Sequence, residues 1–406
     1  MLAPYRRLLS IPRAWRFSLA GFILRLPIAM LYLSLALFIV DETGSYSLAG
    51  ALSMGSAVVV SIASPLWSRT ADRIGQSKVL MMTVPIHIFF LGLFIILVKI
   101  GAPTPLWFIS ALIFEGAVIG SGQMVRRRWL HVIGDDRPLV DTAYAYEALV
   151  EEFVFTFGPV IATLAATLIS PTASLVTAMT FVAIGALLFL REKSTEPPAH
   201  PHDEKVHGGL LIKEKKVRAF FIPMMFCGAT FSSTGLVVVG YVDAYGIRNL
   251  SGLLVAIWSI GSGIAAFITG TITWKRSESY RFIVSLMTFV IVTAPIAIAA
   301  HWFTGNLFAM AVALFINGLG IAPMLTAGFT VAERSVDSKR ATEVLAWGIS
   351  ALSLGGAIPT AITGYIIDKE GAYVAAVIPF ICSALALLSL LGYWRVWKER
   401  LAVPAS

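Results

Sequence analysis

Charge is what this sequence has least of. Asp, Glu, Lys and Arg make up 13% of its 406 residues, about half the ~25% usual in a soluble domain, which excludes an ordinary water-soluble globule. Cysteine is nearly absent as well. Cys227 and Cys382 both fall in apolar stretches, so no disulfide framework is available. Nothing reads as a Walker phosphate loop or as a nucleophile placed beside its base, which leaves direct ATP drive and hydrolytic chemistry without residues to run on. Histidine is sparse too: of six, only His87 lies in an apolar run. His200, His202 and His207 crowd into a charged segment that reads as solvated linker rather than as a metal tract, so no metal site is expected.

What the chain has instead is length of apolar sequence. Hydrophobic residues make up 57% of it and the mean hydropathy is +0.82. Runs of about 20 apolar residues cross a bilayer as helices. Twelve such runs occur, at 17–40, 46–66, 79–99, 105–125, 143–169, 172–190, 219–242, 250–272, 282–300, 305–329, 344–367 and 371–394. The first is full length and is followed by Asp41-Glu42 rather than by a small-residue cleavage site, so it is expected to stay as an anchor. The formal charge of +8 could suggest nucleic acid, but its distribution is topological. Lys and Arg gather on one side of the spans, in segments such as Arg126-Arg127-Arg128 and 191–218, whereas the opposite loops hold only Lys99, Arg248 and Lys369. That bias predicts an even number of spans with both termini cytoplasmic, with the lipid bilayer and no nucleic acid as partner.

Segment 191–218 is charged, contains Pro197, Pro198 and Pro201, and cannot span. It divides the chain into an N-terminal bundle (1–190), a linker (191–218) and a C-terminal bundle (219–406), and the two bundles are related at an offset of 202 residues. Asp41, Gly44, Leu48, Gly50 and Leu52 recur as Asp243, Gly246, Leu250, Gly252 and Leu254, and Glu115-Gly116 meets Asn317-Gly318. The loop 68–80, SRTADRIGQSKVL, resembles the major facilitator loop signature Gly-x-x-x-Asp-Arg-x-Gly followed by two basic residues. Asp72, Arg73, Gly75 and Lys78 fit; Ser68, Gln76 and Ser77 depart from it. At the same offset, 270–281 is a degraded copy in which Trp274 stands where Asp72 would be.

The chain is thereby identified as resembling the major facilitator superfamily over nearly all its length. The resemblance implies an all-α membrane protein of twelve transmembrane helices in two pseudo-symmetric six-helix bundles, with substrate held near the midplane. It also gives Asp72, Arg73 and Gly75 a gating role, Asp72 meeting Arg126, Arg127, Arg128 or the start of the eleventh helix near Thr342; helix capping is the plainer alternative. Gly158-Pro159 resembles part of the fifth-helix signature of proton-driven antiporters, Gly-x-x-x-Gly-Pro-x-x-Gly-Gly, although Val154, Ala162 and Thr163 differ. An ordinary proline kink is the alternative. Leu354-Gly355-Gly356 offers a comparable site in the eleventh span, expected at the interface between halves. The family's fourth-helix Arg-x-x-Gln-Gly would place Arg at Leu112 and Gln at Glu115, so this chain lacks that arginine.

The ionisable residues inside the spans are the candidate chemistry, because a carboxylate in lipid costs ~2.5–3.5 kcal/mol by insertion scales. Arg25 is the only Lys or Arg inside a predicted span rather than at its end, and it lies roughly 24 Å from the outer end at ~1.5 Å per residue. Glu151 and Glu152 lie roughly 27 to 28 Å from Ser170 by the same rise, within an arginine's reach of that depth. An arginine opposite two carboxylates leaves one proton exchangeable; a static ion pair is the alternative. Glu115, near mid-membrane and without a basic neighbour, is the other proton-coupling candidate and could also face a cationic substrate. Glu147 is close enough to the inner end to read as an interfacial acid, and Glu343 as a helix-dipole partner. Arg25, Tyr32, Glu115, Phe226, Asn317 and Trp347 are the substrate-binding candidates; packing and interface anchoring are the ordinary roles of such aromatics.

These readings lead to a secondary transporter, expected to be a monomer, that needs no cofactor beyond a proton gradient. The leading expectation is proton-coupled export of a small apolar or cationic compound. The alternative is uptake or exchange of an anionic metabolite anchored by Arg25. An enzyme or receptor embedded in the membrane is the remaining class, and the sequence offers no convergent catalytic groups for it.

Overall fold

The structure, a computed structural model, describes residues 3–118, 120–134, 136–199, 214–271, 276–336, 341–393 and 395–397. A short α1 (Ala3–Leu9) precedes α2 (Ala14–Thr43), α3 (Tyr46–Ile74), α4 (Gln76–Lys99), α5 (Thr104–Gly116), α6 (Ser121–Ile133), α7 (Arg137–Leu168) and α8 (Pro171–Arg191). After the linker come α9 (Lys215–Ala244), α10 (Ser251–Thr271), α11 (Glu278–Trp302), α12 (Leu307–Glu333), α13 (Ala341–Glu370), α14 (Ala372–Ala375) and α15 (Ile378–Ser389). Together they supply 12 spans long and apolar enough to cross a membrane, and no strand occurs among the described residues. Eight of these helices carry an interior proline. Neighbouring helices and polar side chains can re-satisfy the backbone that a proline frees.

The chain divides into two compact units. One comprises Met1–Glu42 and Val59–Lys205; the other comprises Thr43–Val58 and Val206–Ser406. The first is centred on Phe17, Val79, Trp129, Ala143 and Phe189, all fully buried, and the second on Phe220, Phe282, Phe289 and Met324. In lipid the helices gain nothing by hiding apolar surface from water, so small residues that let backbones approach do much of the work. In the first unit a Cβ on Gly185 would sit 2.6 Å from the backbone of Leu24, and one on Gly158 would sit 2.7 Å from Ala29. In the second, a Cβ on Gly355 would lie 1.7 Å from the Met225 carbonyl, and one on Gly228 would lie 1.8 Å from that of Leu352. Thus Gly158 seats α7 on α2, and Gly228 and Gly355 seat α13 on α9. The sequence reading put such packing at the interface between halves; the residues they touch show that each acts inside its own unit.

The repeat has a backbone counterpart. Gly44 and Gly246, 202 residues apart in sequence, both adopt φ +69°. That left-handed conformation is cheap only for glycine, and in both places it turns the chain between consecutive spans. The fourth apolar run departs from expectation. It is not one helix: α5 stops at Gly116 and α6 starts at Ser121. Three of the carbonyls at the break find side-chain or backbone donors. Trp67 Nε1 donates to Gly116 at 2.7 Å, His87 Nδ1 meets Phe114 at 2.9 Å, and Val118 N donates to Glu115 at 3.0 Å. Of the linker, Lys193–Thr195 forms a 3-10 turn and α9 begins at Lys215; His200, His202 and His207 lie outside the described residues, as do the side chains of Thr342 and Glu343.

Candidate functional site

The first unit encloses one guanidinium with two carboxylates. Arg25 projects from the middle of α2 and is 1% exposed. Its Nε donates to the Gly21 carbonyl at 3.1 Å, fixing the base of the fork. Nη2 then stands 2.7 Å from Glu147 Oε2 and Nη1 3.4 Å from Glu151 Oε2, both acids coming from α7. Close approach of α6 shapes the pocket. A Cβ on Gly21 would strike Val125 at 2.3 Å, and one on Gly122 would lie 3.6 Å from Glu151 Oε2 and 3.7 Å from Arg25 Cδ. Trp129, also from α6, donates its indole N–H to Glu147 Oε1 at 2.7 Å and stacks edge-on against Phe17 at 4.6 Å.

The two acids differ in environment. Glu147 is 0% exposed, whereas the Glu151 side chain is 41% exposed, with Arg126 Nη2 at its outer side, 4.0 Å away. Assigning Glu147 to the interface was therefore wrong. Depth along the helix suggested that role, but the facing of the helix decides it. Ala143, Glu147, Val150 and Val154 are all buried, which is the inward stripe of a 3.6-residue period, and Glu147 stands on it. Glu151 sits one turn further along at the stripe's edge. Glu152 is half-buried and has no hydrogen-bond or ion-pair partner among the described residues. Glu115 is buried at the last turn of α5 and likewise has none. Both acids accordingly stand apart from the Arg25 cluster.

The loop between α3 and α4 is anchored by charge at the end of the unit rich in arginine. Asp72 is bonded to Arg127, one of the three cations named for it, and Gly75 turns the chain at φ +97°. Arg73 has interactions of its own. The neighbouring Arg128, also named for Asp72, is engaged elsewhere. It is fully buried, its guanidinium lies 3.6 Å over the Phe189 ring, and it donates to Gln76 Oε1 (3.0 Å), the Glu192 carbonyl (2.9 Å) and Thr195 Oγ1 (3.0 Å). Met124, Val125, Arg128 and Trp129 share the buried face of α6, so the signal was again helical period. Ser77 N donates to Glu196 at 2.8 Å, so a linker carboxylate caps α4.

Tyr32, in the first unit, is half-buried and makes a contact of its own. The other substrate-binding candidates belong to the second unit. Phe226 and Trp347 pack against its core. Asn317 is fully buried with both ends of its amide engaged: Trp258 Nε1 donates to Oδ1 at 2.8 Å, and Nδ2 donates to Thr293 Oγ1 at 2.8 Å. The amide thus ties α12 to α10 and α11, with one N–H and one oxygen lone pair uncommitted among the described residues. No group of three or more metal-binding side chains occurs among the described residues.

Comparison with known proteins agrees with this architecture. A search of curated protein sequences gives no match, but solved structures align over almost the whole chain. The nucleoside transporter NupG superposes with a TM-score of 0.74 at 14% identity, covering 95% of this chain and 99% of its own. The POT family transporter PepTSo gives 0.76 at 9% identity, covering 96% and 98%. A bacterial homologue of the iron transporter ferroportin, in an inward-facing state, gives 0.69 at 13% identity, covering 98% and 100%. At such identities the likeness speaks for the fold alone. The sequence profile described as the Major Facilitator Superfamily matches residues 17–358, and with twelve spans and the Asp72 loop in place the chain is a multi-pass membrane transporter that belongs to that superfamily.

Proposed function

We propose that the protein is a proton-coupled secondary transporter that exports a small apolar or cationic compound across the cytoplasmic membrane, with both termini on the cytoplasmic side and no cofactor beyond the proton gradient. The observation that carries this reading is the inequality inside the first unit: one enclosed guanidinium, Arg25, faces two carboxylates of unlike exposure. Glu147, buried and held by Trp129, pairs with Arg25 permanently. Glu151 is the exchangeable member, exposed on one side and within 3.4 Å of the guanidinium on the other. A proton on Glu151 leaves a neutral buried pair; its loss returns a negative charge. The cost of that charge differs as the surroundings of Glu151 change, and a difference of that kind is what couples a gradient to conformation. Glu152 and Glu115, whose carboxyls have no hydrogen-bond or ion-pair partner among the described residues, are the further candidates to take a proton or a cationic substrate. The small-residue seat of α7 on α2 at Gly158-Pro159 fits the antiporter-like reading.

The reading with Arg25 as anchor for an anionic metabolite has less support, because the guanidinium is 1% exposed and already engaged by two carboxylates. Proteoliposomes with an imposed pH gradient and ethidium as a lipophilic cation test the proposal. Glu151→Gln is expected to abolish pH-driven flux while retaining downhill exchange. Undiminished pH-driven transport in Glu151→Gln, Glu152→Gln and Glu115→Gln alike would reject the proton role.

A further inference from the structure

A groove of about 230 Å³ runs between α11 and α12 in the second unit, and the proposed transport cycle does not use it. Its mouth is cationic. Arg276 and Arg281 line it, and the Arg276 guanidinium lies 5.5 Å over the Tyr280 ring. The acid on that turn, Glu278, is bonded to Arg334 from the end of α12 and also attracts Arg281, so three arginines face one carboxylate and the mouth keeps an excess of positive charge. Below it the groove turns apolar, between Val284 on one helix and Leu319 and Pro323 on the other. Ser285 is small at its wall, whereas Gly320 brings the two helices together, a Cβ there lying 2.7 Å from Val292. Thr288 adds no polar demand, since its hydroxyl donates to the Val284 carbonyl at 3.0 Å. Along the same helix Val284, Met287 and Ile291 are 40%, 49% and 71% exposed, which in a membrane-spanning segment is surface offered to acyl chains. A cationic mouth at a helix end continuing into an apolar slot between two spans has the shape and polarity of one amphiphile.

We infer that this groove binds an anionic phospholipid, its phosphate at Arg276 and Arg281 and one acyl chain along Val284, Leu319 and Pro323. Basic pockets between transmembrane helices recognise lipid headgroups by this arithmetic, each basic side chain contributing about fivefold in affinity, so two contribute roughly 30-fold. The inference does not depend on what the protein transports.

The test uses the full chain, delipidated in detergent and titrated with dioleoylphosphatidylglycerol, with dioleoylphosphatidylcholine or with inorganic phosphate, and read by native mass spectrometry and thermal stability. Phosphatidylglycerol should be retained and should stabilise the protein above phosphatidylcholine of identical chains, and phosphate alone should do neither. Arg276→Gln with Arg281→Gln should weaken phosphatidylglycerol roughly 30-fold, towards the level of phosphatidylcholine. Ser285→Phe, which fills the slot and leaves the charges in place, should weaken both lipids. A phosphatidylglycerol preference that survives both variants overturns the assignment, and so does stabilisation by millimolar phosphate equal to that by the lipid, which would mark a small-anion site.

Discussion

The Arg25–Glu147 pair should behave as a buried ion pair and the Arg25–Glu151 contact as an exposed one, and a double-mutant cycle separates them. Arg25 and Glu147 are 1% and 0% exposed and 2.7 Å apart. Removing one partner of such a pair strands the other, at a cost of about 3–5 kcal/mol. Glu147→Gln keeps an acceptor for the Trp129 indole and leaves Glu151 beside the guanidinium, so its cost should fall near the lower limit, about 3 kcal/mol. Arg25→Met strands a fully buried carboxylate and should cost at least as much. Combining the two substitutions removes both charges from the same enclosed space. Replacing a buried pair by groups of similar volume is often near neutral, so the double variant should be more stable than the sum of the singles by about 2 kcal/mol or more. Glu151→Gln, at a side chain 41% exposed, should cost under about 1 kcal/mol. Equilibrium unfolding in mixed micelles of increasing sodium dodecyl sulfate, followed by tryptophan fluorescence and circular dichroism, gives these values. Additive singles, or Glu151→Gln as damaging as Glu147→Gln, would refute the division of labour between the two acids.

Glycine substitutions should grade by what a methyl group meets. Gly228→Ala and Gly355→Ala place carbon under 2 Å from a carbonyl oxygen and should cost about 1–3 kcal/mol or more; Gly92→Ala meets nothing within 4 Å and should be neutral or slightly stabilising, as the same unfolding assay reads. The start of α3 is held in the second unit by Asp368, which accepts from Tyr46 N at 2.8 Å and Ser47 N at 2.7 Å. Asp368→Ala should cost about 1 kcal/mol, the usual loss of a helix N-terminal cap, and slow exchange of those two amides should be lost. Tyr46→Phe, which takes a charge-accepted hydrogen bond of 2.6 Å from Asp243, should cost about 1.5–3 kcal/mol.

Span number, the repeat and the Asp72 loop were legible in the sequence because each follows from composition or from a fixed offset. Gly44 and Gly246 illustrate this: two glycines 202 positions apart in like surroundings turn out to share one backbone conformation. The placing of Glu151 opposite Arg25 was legible too, from depth. That the second acid is Glu147 rather than Glu152 was not, because depth ignores rotation about the helix axis. Glu147 and Glu151 lie one turn apart, and only the buried residues flanking each distinguish the enclosed one from the one at the rim. Arg128 was hidden in the same way among three consecutive arginines. The break after Gly116 was only partly legible: Glu115, Gly116, Gly120 and Gly122 weaken the helix there, but no proline marks it, and the donors that satisfy it, Trp67 and His87 among them, come from distant positions that sequence spacing does not reveal.

The repeat also makes an asymmetry testable. At the offset of 202 residues, Cys227 stands where Arg25 does and Asn317 where Glu115 does. Cys227 is fully buried in an apolar core, and the Asn317 amide is bonded to Trp258 and Thr293. Thus the second unit keeps the packing of the first at these positions without its charges. If coupling resides in the charge inequality around Arg25, altering the second unit's counterparts should disturb stability and rate but not the link to the gradient. Asn317→Leu, which orphans the Trp258 indole and leaves the Thr293 hydroxyl only its bond to the Phe289 carbonyl, should cost about 1–3 kcal/mol, and Cys227→Ala should cost little. In proteoliposomes both should keep the ratio of pH-driven to downhill flux at the wild-type value, whereas Glu151→Gln should collapse it. A Cys227→Ala or Asn317→Leu protein that binds and exchanges substrate yet no longer responds to the pH gradient would place the coupling outside the Arg25 cluster.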